Sequence, residues 1–260
     1  MAEQRTALIT GAARRIGAAI ARDLASSGWR VVVHYSRSET EAKALAEEIE
    51  RAGGACELVR ADLASRAEVE AVFPRALEKV RRIDCLVNNA AAFQYDTIET
   101  LSWQSWDAHI AANLAAPAFL CRDFARQVPA TGEGVIINLL DQKVANLNPD
   151  FLSYTVSKVG LRGLTETLAL ALAPRIRVCG IAPGVTLISG KQTAQSFEKA
   201  FRATPLGRSS TLEDIVTAVR FILATPSLTG QVLTLDGGES LAGRPRDVAF
   251  QVPQELSDRK

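Results

Sequence analysis

Tyr154 and Lys158, in the run YTVSK, stand four residues apart, so on a helix their side chains rise from one face. Such a pair can do acid–base chemistry. An ammonium beside a phenol favours the phenolate and draws the tyrosine pKa down, which makes the phenol a usable proton donor and acceptor. Asp141, in INLLDQK, lies upstream of the pair. If ionised it raises the Tyr154 pKa and opposes Lys158, so it is expected to be partly protonated or to engage a polar N–H edge or water. A second constellation is TGAARRIG, residues 10–17, which begins where Ala7-Leu8-Ile9 stops. A helix starting just after a strand offers unpaired N–H groups and the positive end of its dipole, and Gly11 and Gly17 let a pyrophosphate approach the backbone. Arg15 stands in this loop as though one glycine had become arginine; positive φ is not expected there, since the helix has begun.

The next apolar run ends in VVVHYSRS, residues 31–38, with no carboxylate before Glu39. A loop that prefers NAD would usually carry an acidic residue there for the ribose hydroxyls. Here His34, Arg37 and Ser38, with Arg14 from the first loop, suit a 2′-phosphate, and NADPH is the expected cofactor. Arg37 and Ser38 would equally serve as the charge and cap that open a solvated helix. Further on, ADL (61–63) and NNA (88–90) sit at strand ends. Asp62 can accept from an adenine amino group and Asn88 to Ala90 can line an adenosine, although both are also ordinary turn chemistry.

These residues need a frame that gathers strand ends on one edge. Short β-branched runs alternate with longer amphipathic stretches, the order of repeated βαβ units around a parallel sheet. Strands are expected at 7–10, 30–34, 56–60, 85–88, 134–138, 177–181 and 232–235, and helices at 15–27, 39–52, 66–81, 103–127, 152–173 and 212–224. The fold class is therefore α/β, one Rossmann-type domain with a doubly wound, seven-stranded parallel sheet and helices on both faces. A length of 260 residues with 47% apolar content suits one such domain spanning 1–260. The polar stretch 185–204 after Pro183-Gly184 reads as a substrate flap, and 243–260 as a tail of unread course.

Thirty basic against 29 acidic residues leave no polybasic field for nucleic acid or an anionic membrane. Cys56, Cys85, Cys121 and Cys179 stand singly, which suits reduced core thiols in the cytoplasm and gives no metal site. No leader or membrane-spanning run is read.

With TGAARRIG, NNA, Asn113, Tyr154/Lys158 and IAPG (181–184) in this order, the chain resembles the short-chain dehydrogenase/reductase family over about residues 5–240. The resemblance implies Tyr154 as acid/base, Lys158 on the nicotinamide ribose and tuning Tyr154, and Asn113 organising a proton relay. It implies a cofactor site of Gly11, Arg14, Arg15, Ile16, Gly17, His34, Arg37, Ser38, Asp62, Leu63, Asn89, Ala90, Tyr154, Lys158, Pro183 and Gly184. Two departures are informative: Asp141 replaces the serine expected before the tyrosine, and Arg15 the middle glycine. With HYSRS and Phe93 in NNAAAF they resemble the pteridine reductase branch, including dihydromonapterin reductases. That likeness implies a substrate site of Arg15, Phe93, Asp141 and Tyr154, with Phe93 stacking on a pterin opposite the nicotinamide. Reducing a C=N bond requires hydride at carbon and a proton at nitrogen, and a flat heterocycle suits an aromatic platform. Ala91 stands where that branch carries a serine. The implied substrates are dihydromonapterin, dihydrobiopterin or dihydrofolate; the alternatives are a reductase of another carbonyl or imine, or an idle NADPH-binding sensor. A homotetramer pairing long helices is implied, with apolar surface expected at 161–172.

Overall fold

The computed structural model describes residues 4–189 and 192–251. Seven strands form one parallel sheet in the order β3-β2-β1-β4-β5-β6-β7: β1 Thr6–Ile9, β2 Arg30–Tyr35, β3 Ala55–Arg60, β4 Cys85–Asn88, β5 Gly134–Leu139, β6 Ile176–Pro183 and β7 Val232–Leu235. The order reverses between β1 and β4, where Ala7 pairs with Cys85 and Ile9 with Val87. At such a switch point the loops after neighbouring strands diverge and leave a crevice at the carboxyl edge.

The strands are apolar along their whole length because both sheet faces are covered. Against one face pack α1 (Arg15–Ser26), α2 (Glu39–Arg51) and α8 (Leu212–Ala224), which bury Ile20, Leu24, Leu45, Ile49, Ile215 and Ile222. Against the other pack α3 (Arg66–Leu77), α5 (Ala116–Gln127) and α6 (Leu152–Ala171), with Phe73, Leu120 and Phe124 at the centre. Burial of this size is the main favourable term in holding a βα frame together. The four cysteines are buried and free, and burial pushes the thiols of Cys56, Cys85 and Cys121 up to about 12.

The structure differs from the sequence expectation in one helix and supplies detail in two segments left open. The stretch 103–127 is α4 (Trp103–Ile110) and α5 joined by a π-helical turn at Ala111–Ala115, where one extra residue is accommodated without breaking the rod. The stretch 185–204, read as a substrate flap, contains α7 (Ala194–Arg202), capped by Thr193 Oγ1 accepting from Ser196 N; Gly190 and Lys191 lie outside the described residues. The tail is partly ordered on the body of the protein. Arg246 clamps the fully buried Asp150 with two bonds of 2.8 and 2.6 Å, and the Asp247 N–H adds a third. Residues 252–260 lie outside the described chain. Among the described residues no helix is long and apolar enough to cross a membrane.

Candidate active site

At the carboxyl edge a cleft of about 1310 Å³ runs from the loop after β1, past the ends of β2 and β4, to the loops after β5 and β6. Its first wall is the glycine loop. Gly11 has φ +61°, and a Cβ there would stand 2.9 Å from the Ala90 Cα, so only glycine lets the β1 and β4 loops meet. A Cβ on Gly17 would strike the Asn89 amide at 2.6 Å. Gly17 therefore permits loop packing and does not line the cleft. Asn89 donates to Thr10 O and Gly11 O at 2.8 and 3.1 Å, which fixes the floor between the two loops.

His34, expected at the 2′-phosphate, is corrected to a scaffold role. It is buried; its Nδ1 accepts from Gly11 N and its Nε2 faces Ala61 O, both at 3.1 Å. Burial lowers its pKa to about 4, so the ring is neutral and holds the glycine loop from behind. Leu63 is likewise core rather than cleft, packed in the cluster around Phe73. Gly11, Arg14, Arg15, Ile16, Arg37, Ser38, Asp62, Asn89, Ala90, Lys158, Pro183 and Gly184 do line the cleft. Ser38 precedes α2 but its side chain makes no capping bond, so its hydroxyl remains available, and Arg37 is exposed beside it. Arg14 forms an exposed pair with Glu41 at 3.5 Å.

Arg15 overturns the expectation that positive φ is no longer needed in the loop. Its φ is +57°, a left-handed conformation that costs a non-glycine residue roughly 1–2 kcal/mol. Its guanidinium reaches across the cleft to donate to Ile188 O at 2.7 Å, tying the glycine loop to the segment after β6. Left-handed backbone at a non-glycine residue clusters at active sites and ligand clamps.

The opposite wall comes from β5 and α6. Tyr154, 6% exposed, donates to Asp141 Oδ2 at 2.9 Å, while Asp141 Oδ1 accepts from Lys143 N and so fixes the carboxylate plane. Lys158, one turn on, donates to Leu139 O at 2.7 Å, with its Nζ 5.7 Å from the Tyr154 ring centre. The expected lowering of the Tyr154 pKa is therefore corrected. Burial and the adjoining Asp141 carboxyl raise it well above its usual value of 10. Burial also raises Asp141 and lowers Lys158 to about 8, although Asp141 pulls the lysine back up.

Asn113 sits fully buried in the π turn and does not face the cleft. Its Oδ1 accepts from Ala92 N at 2.7 Å and its Nδ2 donates to Ala92 O and Ser157 Oγ, both at 3.0 Å. Each polar atom is thus spent on positioning the loop before Phe93 and the second turn of α6. Phe93 is 43% exposed; one face stacks on Phe151 at 4.6 Å and an edge meets Tyr154 at 4.7 Å. Phe151 itself has φ +56°, and Tyr95 and Phe250 complete the aromatic wall.

Sequence reasoning missed a buried network beneath this wall: His109 Nδ1 meets Ser153 Oγ at 2.6 Å, Nε2 accepts from Gln94 N, and Asp96 receives the Ser153 N–H. It also missed Gln142, Phe151 and Glu239 as cleft residues. These carry no motif, since the fold alone brings them together.

The short chain dehydrogenase family model matches residues 5–199, and the chain belongs to that family of oxidoreductases. A 3-oxoacyl-[acyl-carrier-protein] reductase of Synechocystis sp. is 34% identical, covering 90% of this chain and 96% of the relative. A solved structure of FolM alternative dihydrofolate reductase 1 from Brucella suis in complex with NADP superposes with a TM-score of 0.89 at 43% identity, covering 93% of this chain and 97% of that one. The reductase LugOII, described as promiscuous and catalysing keto-reduction at C1 during lugdunomycin biosynthesis, gives 0.84 at 32% identity, covering 91% and 98%.

Proposed function

We propose that the protein is an NADPH-dependent reductase of dihydropterins, with dihydromonapterin, dihydrobiopterin or dihydrofolate as substrate. The observation that carries this reading is Asp141, hydrogen-bonded to Tyr154 where a carbonyl reductase of the family is expected to present a serine hydroxyl. The likeness to a FolM alternative dihydrofolate reductase at 43% identity supports it.

Backbone N–H groups of Ala13 to Ile16 would hold the pyrophosphate, with Gly11 letting it approach closely, and Arg14, Arg37 and Ser38 would hold the 2′-phosphate. Lys158 Nζ, with one N–H on Leu139 O, has two more to offer the nicotinamide ribose. When bound, the nicotinamide supplies a hydride to the carbon of the C=N bond. The nitrogen then needs a proton, which Tyr154 holds because its raised pKa keeps it a phenol at neutral pH. Asp141 accepts the phenol O–H and burial raises its pKa, so it is placed to relay a replacement proton from solvent to the phenolate oxygen once the phenol's proton has gone to nitrogen. Phe93 and the aromatic wall behind it offer a face for a flat heterocycle. Arg15 marks the polar edge of that ring's site, and its backbone strain is the cost of placing a cation there.

The names of the 3-oxoacyl and keto reductases favour a second reading, reduction of a carbonyl group. NADPH oxidation by the purified protein separates the two when dihydropterins and an acetoacetyl thioester are offered side by side. Turnover of dihydropterins with little of the thioester is expected. Turnover of the thioester alone overturns the pterin reading. The assembly we propose is a cytoplasmic homotetramer, supported by Phe119 on α5 and Val156, Val159 and Leu170 on α6, which are exposed apolar side chains on the long helices. A monomer by light scattering would contradict it.

A further inference from the structure

Beyond Asp141 the cleft ends in two polar side chains that the proton relay does not use. Gln142 opens a single 3₁₀ turn, Gln142–Val144, and Glu239 opens another, Glu239–Ala242, after β7. Gln142 Nε2 donates to Glu239 Oε1 at 3.4 Å across 97 residues of sequence. Both residues line the cleft, at 6% and 3% exposure. Among the described residues, Gln142 Oε1 and Glu239 Oε2 are buried without a hydrogen-bond partner. Buried acceptors are almost always satisfied in folded proteins, so a pair of orphans on a cleft wall signals donors that a ligand brings.

The neighbouring carboxyls are already engaged, which separates these two oxygens from a diffuse acidic patch. Asp141 accepts from Tyr154, Asp236 accepts from the N–H groups of Gly238 and Ser240, and Asp247 pairs with Lys143. Burial raises Glu239 to about 7; Arg244 pulls it down, while Asp247, Asp141 and Asp236 push it up. Glu239 is thus not a committed anion at neutral pH, and a neutral hydroxyl, which both donates and accepts, suits it better than an ammonium. A substituent carrying hydroxyl groups offers donors to both oxygens.

We propose that Gln142 and Glu239 form a subsite for hydroxyl groups on the substrate's side chain, selecting a dihydropterin with a hydroxylated substituent over one with a bare alkyl group. The proposal rests on the pterin reading above and adds to it the part of the substrate that lies away from the reacting bond.

The test is the ratio of kcat/KM for dihydromonapterin to that for a methyl-substituted dihydropterin, with NADPH in excess. It is measured in the wild-type protein and in Glu239→Leu, Gln142→Leu and Glu239→Gln. The wild type is expected to favour the hydroxylated substrate, and each leucine variant to lower the ratio about tenfold, as for the loss of one buried hydrogen bond. The change is expected in KM more than in kcat, and Glu239→Gln, which keeps an acceptor, retains most of the ratio. A wild-type ratio near one, or variants in which both substrates fall together with the ratio unchanged, overturns the subsite while leaving pterin reduction standing. No turnover of either dihydropterin by the wild type overturns the pterin reading and the subsite with it.

Discussion

The glycine-loop wall of the cleft and the Asp141 wall differ in how fully their buried polar groups are satisfied. On the first, His34 spends both ring nitrogens and Asn89 both of its N–H donors on backbone. On the second, two buried oxygens have no partner among the described residues, Tyr154, Asp141 and Glu239 all have raised pKa values, and Phe93 leaves much of its surface open. A satisfied network holds a shape at little cost, whereas unsatisfied and shifted groups are stabilised only when something binds or reacts. The first wall is thus a preformed grip and the second a site with chemistry left to complete.

The largest effect expected comes from the reactive wall. Tyr154→Phe removes only the O–H, so turnover should fall about 10²- to 10⁴-fold while NADPH binding, followed by fluorescence titration, persists. A loss smaller than tenfold would mean that the proton comes from elsewhere.

On the grip, His34→Ala leaves the Gly11 N–H without its acceptor and should cost about 1–3 kcal/mol of stability, read by urea denaturation, together with weaker NADPH binding. His34 also has a pH signature. Its folded pKa of about 4 lies below the ordinary 6.5, so the unfolded chain takes up the proton first and stability is lost as pH falls from 6.5 toward 4. The alanine variant should lack that component of acid sensitivity.

Glu239 should show the opposite slope. Its pKa is raised from 4.5 to about 7, so the folded chain binds the extra proton and stability declines as pH rises through that window. Glu239→Gln should therefore melt higher than wild type above pH 7, with the gap closing below 4.5; a gap independent of pH would show that burial does not hold the proton on Glu239.

The smallest shift is expected from Arg15→Gly. Relief of the left-handed strain should stabilise by about 1 kcal/mol or less once the flexibility of glycine is subtracted, yet raise the dihydropterin KM. Unchanged KM would reduce Arg15 to a loop fastener.

The same contrast decides what was legible in the sequence. The seven strands were readable because β-branched runs between turns leave little choice in a sheet covered on both faces. Tyr154, Lys158 and the cleft-lining part of the glycine loop were readable from spacing. The π turn was not, because one extra residue inside a helical stretch barely disturbs its periodicity, and α7 was hidden in a polar stretch. The opposing pulls of Lys158 and Asp141 on Tyr154 were legible, but the burial that does most to raise the phenol's pKa was not. Gln142 and Glu239 meet only through the fold, and the left-handed backbone of Arg15 runs against what its residue type implies.

The most direct test of the account is Asp141→Ser, which restores the family's usual residue beside an intact Tyr154 and Lys158. The quantity to measure is the ratio of dihydropterin to acetoacetyl-thioester turnover with NADPH, before and after the change. A ratio that collapses, through loss of dihydropterin turnover, is the result expected if Asp141 supplies the proton relay for C=N reduction. Dihydropterin turnover that survives the serine at the wild-type rate would contradict it.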